Sequence, residues 1–326
     1  MTKSENKSGK KKLNLAELYG KYGTFAILVI IFTLSSIFTR GFATQANLTN
    51  VLRQITVVTI LALGATFVII LGHINVAYGS MIALIGVIST AIMVATGSVF
   101  VAVMGAVGLG LVIGGINGYV ITKFHIPAFI MTLAVTTVAR GAVLLFTNGV
   151  PITGMGSAYT FIGQGYIGFM PVSVLILIVL FIISWIMLNK TRFGRHVYAV
   201  GGNEQAAIAS GIKSKNVVRK AFLFDGFTAA IAGVVLMSRM NSGQPAAGLA
   251  YEFDAITAVV VGGTSLAGGS GTVVGTIIGA VIVGIINNVQ NLANVNTYWQ
   301  QIVKGLIILI AVIIDKMTKR ASSAKK

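Results

Sequence analysis

The chain alternates long apolar runs with short polar joints, and that alternation leaves little choice of fold. Runs lie near 22–39, 54–72, 77–95, 98–120, 126–146, 170–189, 218–240, 252–267, 271–290 and 297–315. Each approaches the length a bilayer core demands, about 20 apolar residues per helix. Backbone in lipid must satisfy its own hydrogen bonds, so such runs read as helices. Only 10% of the residues are charged and 56% are hydrophobic, whereas a soluble domain carries roughly 25% charged residues. A soluble globular protein is therefore excluded. The expected fold class is an all-α polytopic membrane protein with about ten transmembrane helices, interrupted spans and a weak internal repeat.

The charge that remains is one-sided and clustered. Lys and Arg number 24 against 7 Asp and Glu, a net +17. Residues 1–21, 190–220 and 316–326 hold 6, 7 and 5 of the basic residues. This is the positive-inside distribution, which places all three segments in the cytoplasm. An even number of crossings must then separate them, and six followed by four satisfies this. The segments lack the interleaved aromatics that stack on bases, so nucleic acid is not an expected partner. No small-residue cleavage site follows the first apolar run, which reads as a retained span. The expected organisation is a basic cytoplasmic tail over 1–21, a transmembrane domain over 22–315 with a cytoplasmic loop at 190–217, and a basic cytoplasmic tail over 316–326. Arg40 and Arg53 fall on the outer side, against the rule.

The chain has 39 Gly, many at helix-helix packing intervals: Gly105, Gly110, Gly114 and Gly118, then Gly271, Gly275, Gly279 and Gly284. Small residues at this spacing let helix backbones approach in lipid. The stretch 105–120 resembles 275–290, with Asn117 matching Asn287. Paired repeats in transporters often flank the substrate path.

Two spans are interrupted, at Gly72-His73-Ile74-Asn75-Val76-Ala77-Tyr78-Gly79-Ser80 and at 262–271, GGTSLAGGSG. Non-helical backbone at membrane depth needs protein or a water-filled cavity around it, so either break lines a pathway or turns at the membrane edge. Asn75, Tyr78, Asn117, Asn287 and Asn288 are candidates for a translocation path, because amides and phenols can both donate to and accept from a hydroxyl-rich solute. Interhelical hydrogen bonding is the other role open to each amide. Among ionisable groups in or near spans, Asp225 is expected to form a cytoplasmic-side salt bridge near Arg219 and Lys220. Glu252 and Asp254 are expected near an outer mouth, with no carboxylate clearly at the midplane.

No phosphate-binding Gly-Lys loop, catalytic triad order or zinc-protease pattern occurs. Cysteine is absent and the 3 His are dispersed. No catalytic residue, metal site or cofactor is expected, so transport would draw on an ion gradient or a separate ATPase. The loop 190–220 bears on that choice. Asn203 is a plausible N-cap for a short helix starting at Glu204, and Gly211 a plausible stop.

The loop's GGNEQAAIASGI resembles the ATPase-contacting loop of ABC importer permeases. Together with YEFDAITAVVVGGTSLAGGSGTVVGTIIGA (251–280) and ARGAVLLFTNGVPI (139–152), it resembles the ribose-type monosaccharide permeases over about residues 45–315. The resemblance implies an inner-membrane subunit paired with an identical or closely related permease. It implies an ATPase docked on Gly201, Gly202, Asn203, Glu204, Ala206, Ala207 and Gly211. It further implies an extracytoplasmic sugar-binding protein, which Arg40 and Arg53 could meet unless they snorkel to lipid headgroups. The cargo implied is a monosaccharide, ribose or a related pentose. A hexose, a furanose-like signal, a branched-chain amino acid, or a stand-alone ion-coupled carrier are the other readings. Family members commonly have Gly-Gly-Ile-Asp-Leu-Ser-Val-Gly-Ser at 72–80. Here Asn75 replaces the acid, and His73 and Tyr78 are new.

Overall fold

The computed structural model describes residues 15–323. Residues 1–14 of the basic N-terminal tail and 324–326 of the C-terminal tail lie outside the described residues. The described chain is helical apart from one short hairpin. In order it runs α1 (Leu15–Phe38), α2 (Gln45–Ile70), α3 (Tyr78–Thr96), α4 (Val99–Phe124), α5 (Ala128–Thr147) and α6 (Gly156–Gln164). Strands β1 (Tyr166–Ile167) and β2 (Met170–Pro171) follow, paired antiparallel. Then come α7 (Val172–Lys190), α8 (Arg192–Gly202), α9 (Glu204–Ala209), α10 (Ser214–Met240), α11 (Tyr251–Val261), α12 (Val273–Leu292) and α13 (Thr297–Ser323).

Among the described residues, α2, α3, α4, α5, α7, α10 and α12 are the 7 helices long and apolar enough to cross a membrane. The other expected crossings resolve differently. The apolar part of α1, Gly23–Phe38, is shorter. The expected crossing at 297–315 falls within α13. The one at 252–267 is not a full span: α11 has 11 residues, about 16 Å of helix, roughly half of a 30 Å core. The count of ten is thus not confirmed: among the described residues 7 helices are long and apolar enough to cross, and α11 is a partial one.

The core is built on α2 and α10, which are buried along most of their length. The expected close backbone approaches are present at five of the eight glycines; Gly105, Gly271 and Gly284 meet side chains instead. Gly110, Gly114 and Gly118 of α4 sit on the α10 backbone at Gly226, Phe222 and Arg219, where any Cβ would overlap it. Gly275 and Gly279 of α12 meet Gly262 and Ala258 at the end of α11 in the same way. In lipid such packing, rather than water exclusion, drives association. The outer faces of α4, α5 and α7 carry exposed Leu, Ile, Val and Phe.

The polar segment 147–169 folds as α6, pinned by a buried relay. The Tyr159 hydroxyl donates to Ser89 Oγ (2.9 Å), the Ser238 hydroxyl to Tyr159 O (2.6 Å), and Gly163 N–H to Ser238 Oγ (2.7 Å). Each donor in this low-dielectric core thereby finds an acceptor.

Candidate functional site

Three glycine-rich stretches, far apart in sequence, meet at one end of the bundle. α2 ends at Ile70, whose carbonyl accepts from Gly269 N–H at 2.8 Å. Gly201, in the last turn of α8, rests on the same carbonyl. A Cβ at Gly201 would overlap Ile70 O and come within 3.0 Å of Gly269 N. Gly269 lies as close to Gly202, where its own Cβ would be 2.8 Å from Gly202 Cα. Its φ of +76° would in any case disfavour a side chain. One turn back on α8, the Tyr198 hydroxyl donates to Gly271 O at 2.7 Å. Burial pushes that phenol up from its ordinary range, so it stays a donor. The 262–271 break is thus the seat of α8, and the end of α2 is part of the same seat.

From this seat α9 projects outward. Asn203 Oδ1 accepts from Ala206 N–H at 3.0 Å, the expected N-cap. Glu204 lies in the first turn, where a negative charge favours the helix dipole. Gly211, at φ +83°, follows the helix as its expected stop. Of α9 only Ala207 is buried; Glu204, Gln205, Ala206 and Ile208 face outward. Sequence reasoning missed α8, whose Gly-rich C-terminus reads as loop. Beside α9 runs a basic groove of about 480 Å³, lined in part by Arg192, His196, Lys213 and Lys220.

The 71–77 break extends from this junction toward the middle of α10. Its backbone is satisfied by α5: Val76 N–H donates to Thr132 Oγ1 (3.2 Å), and the Thr136 hydroxyl donates to Val76 O (3.0 Å). Asn75 Oδ1 accepts from Ala77 N–H at 2.8 Å. The Asn75 amide then donates to Asp225 Oδ2 at 2.7 Å, and the Tyr78 hydroxyl donates to Asp225 Oδ1 at 2.6 Å. All three side chains are buried. Among the described residues the expected salt bridge of Asp225 is not formed. Arg219 instead donates to Thr122 Oγ1 at 2.7 Å and lies over the Tyr119 ring. Asp225 sits 11 residues into α10, about 17 Å along a helix of about 40 Å. A carboxylate therefore does lie near mid-depth, contrary to the sequence expectation.

Glu252 lies against the start of α3, where a Cβ on Gly79 would come within 2.6 Å of its Oε2. Nearby, Arg140 of α5 donates to Ala247 O at 3.1 Å in the segment that leads into α11. Asp254 forms an ion pair with Lys304 of α13 at 2.9 Å.

The remaining amides scatter. Asn288 exchanges two hydrogen bonds with Asn47 of α2, at 3.0 and 2.9 Å. Asn117 is fully buried, and neither side-chain polar atom has a partner. Asn287 lines a cavity of about 100 Å³ together with Gln54, Asp254, Gln300 and Lys304. Asn75 and Tyr78 are thus brought together, while Asn117 stands apart from them, and Asn287 and Asn288, neighbours on α12, meet different surroundings. Asp225, absent from the candidates, is the group on which Asn75 and Tyr78 converge. Its only sequence signal was an acid inside an apolar run.

At the opposite end, Arg53 donates to Gln164 O at 2.6 Å and lies over the Tyr166 ring, 4.4 Å from its centroid. Arg239 of α10 donates to Arg53 O at 3.3 Å. Both line a depression of about 460 Å³ with Asn50, Gln54, Gln164 and Tyr166. Arg40 is exposed in the turn after α1 and does not line it.

Comparison with known proteins agrees with this architecture. A protein-family model described as "Branched-chain amino acid transport system / permease component" matches residues 47–312. The chain belongs to this family. It is similar to the ribose import permease protein of Bacillus subtilis (strain 168), 42% identical over 94% of this chain and 96% of that one. The ribose import permease protein of Haemophilus influenzae is 40% identical, over 90% and 92% of the two chains. The D-allose transport system permease protein of Escherichia coli (strain K12) is 35% identical over 96% and 97%. No solved structure gives a significant match. The chain is a helical polytopic membrane permease.

Proposed function

We propose that the chain is the membrane subunit of an ABC importer for a monosaccharide, ribose or a closely related pentose. The observation that carries the reading is the seating of α9. An exposed, capped helix rests through Gly201 and Gly202 on the 262–271 break, and through Gly201 on the end of α2, where the 71–77 break begins. Movement imposed on α9 therefore has a short backbone route into the bundle. In this reading a separate ATPase docks on residues 201–211 and hydrolyses ATP, and the chain itself performs no chemistry. The ATPase pair pulls the two α9 knobs together, and a second permease subunit completes the path, whose access alternates between the two sides. The α9 end is cytoplasmic, as are both termini. The basic groove beside α9 then faces the ATPase.

The opposite end would receive an extracytoplasmic binding protein. Arg53 and Arg239 share one depression there, and carboxylates on the partner would gain orientation and association rate from them. Among the candidate path residues, Asn287 opens on a cavity. The pentose assignment follows the closer similarity to the ribose permeases than to the D-allose permease.

Reconstitution tests the reading. Ribose uptake into proteoliposomes should require the ATPase, ATP and the binding protein together. Gradient-driven uptake by the chain alone would overturn it in favour of an ion-coupled carrier. Uptake of a branched-chain amino acid instead would keep the mechanism and replace the cargo.

A further inference from the structure

A carboxylate at mid-depth in a membrane domain is costly, and such residues are retained for function or firmly paired. Asp225 is 1% exposed. Two neutral donors hold it, Asn75 Nδ2 at 2.7 Å and the Tyr78 hydroxyl at 2.6 Å. Among the described residues, the elements packed around it bring no cation into an ion pair with it. α2 presents Gly64, whose would-be Cβ lies 2.8 Å from Asp225 Oδ1. α10 adds the Thr228 hydroxyl, which donates to the Asp225 backbone carbonyl. His73 turns to the Phe222 ring, and Arg219 is committed to Thr122 and Tyr119. The orientation of Asn75 is fixed independently, because its Oδ1 already accepts from Ala77 N–H.

We infer that Asp225 is a positioning residue for transport. Its carboxylate latches the interrupted segment 71–77, which leads from the α9 seat, onto the middle of α10. The chemistry of the latch is reciprocal. If position 75 carried the acid and position 225 the amide, all three bonds would survive. The acid at 75 would accept from Ala77 N–H and from the amide at 225, whose oxygen would accept from Tyr78. Either single exchange breaks the pattern. Asn75→Asp sets two carboxylates face to face at the 2.7 Å now spanned by a hydrogen bond. Such a pair must hold a proton, and holding it becomes harder as pH rises. Asp225→Asn can keep its oxygen on the Asn75 amide only by turning its N–H₂ to the Tyr78 hydroxyl, which can accept but then has no acceptor for its own proton.

The test rests on the proposed ATPase-driven uptake and measures two things on the full complex: ribose uptake against pH, and thermal stability of the purified permease. Asn75→Asp should lose uptake about tenfold at about pH 8 and recover most of it at about pH 5.5, because the pair then retains its proton. Asp225→Asn should be slower at both pH values. The double exchange Asn75→Asp with Asp225→Asn should restore the wild-type rate and pH profile. If Asn75→Asp fails to accumulate in the membrane, accumulation of the double exchange carries the same information. Tyr78→Phe removes one donor alone and should slow uptake without unfolding the protein. A double exchange no better than the worse single, or an Asn75→Asp profile like the wild type, overturns the latch. Failure of the wild-type complex to take up ribose would refute the transport reading instead, and the stability of the exchange series would still decide the latch.

Discussion

Gly201→Ala tests the α8 seat most directly. A Cβ at this position would overlap the Ile70 carbonyl oxygen, which already accepts from Gly269 N–H at 2.8 Å. Neither obstacle is a flexible side-chain tip, because both are backbone. The alanine must therefore lift α8 off the end of α2 or displace the 262–271 loop. Overpacking of this kind costs about 1–3 kcal/mol, and losing the hydrogen bond adds about 1 kcal/mol. A sum of about 2–4 kcal/mol lowers the population of the seated arrangement by roughly 30- to 1,000-fold. The exposed face of α9 is not touched, so the ATPase should still co-purify, while ATP-driven uptake should fall at least about tenfold. Gly202→Ala is the matched packing control, since nothing lies within 4 Å of its would-be Cβ, and the purified permease should melt as the wild type does. Normal uptake by Gly201→Ala, or equal losses of thermal stability in both variants, would refute the claim that this contact carries the motion.

Three further outcomes are expected. Glu204→Lys reverses the outward charge of α9 and its dipole complement, so the protein should insert and melt normally but no longer retain the ATPase on purification. Asn203→Ala deletes the N-cap bond to Ala206 N–H, costing about 1 kcal/mol locally; uptake should drop, and Asn203→Asp, which caps equally well, should rescue it. Arg53→Glu together with Arg239→Glu should slow association of the binding protein, measured by surface-immobilised kinetics, with the largest difference at low salt.

The site was legible from sequence where its causes are local. Asn203 caps and Gly211 stops a helix through bonds and dihedral preferences spanning a few residues, so both expectations are met. The threonines that satisfy the 71–77 backbone come from α5, more than fifty residues away, and no spacing rule announces them. Asp225 was misplaced for a related reason. Its basic neighbours in sequence suggested a salt bridge, but the helix turns Arg219 toward α4 and the carboxylate toward α2 and α3. The short α11 was read as a full crossing because hydropathy continues through a glycine-rich turn that a bundle can bury but a lone helix could not.

The sequence by itself determined that this chain crosses a membrane as packed helices. Apolar length and glycine spacing act on each helix before any partner is chosen. It also determined the capped α9, because a cap closes within one turn. Only the tertiary structure decided that GGNE, GGTSLAGG and the end of α2 share one junction, and that Asn75 and Tyr78 serve a carboxylate on α10. Those pairings join residues up to two hundred positions apart. In a medium without water, a buried polar group depends on whichever partner the packing brings to it.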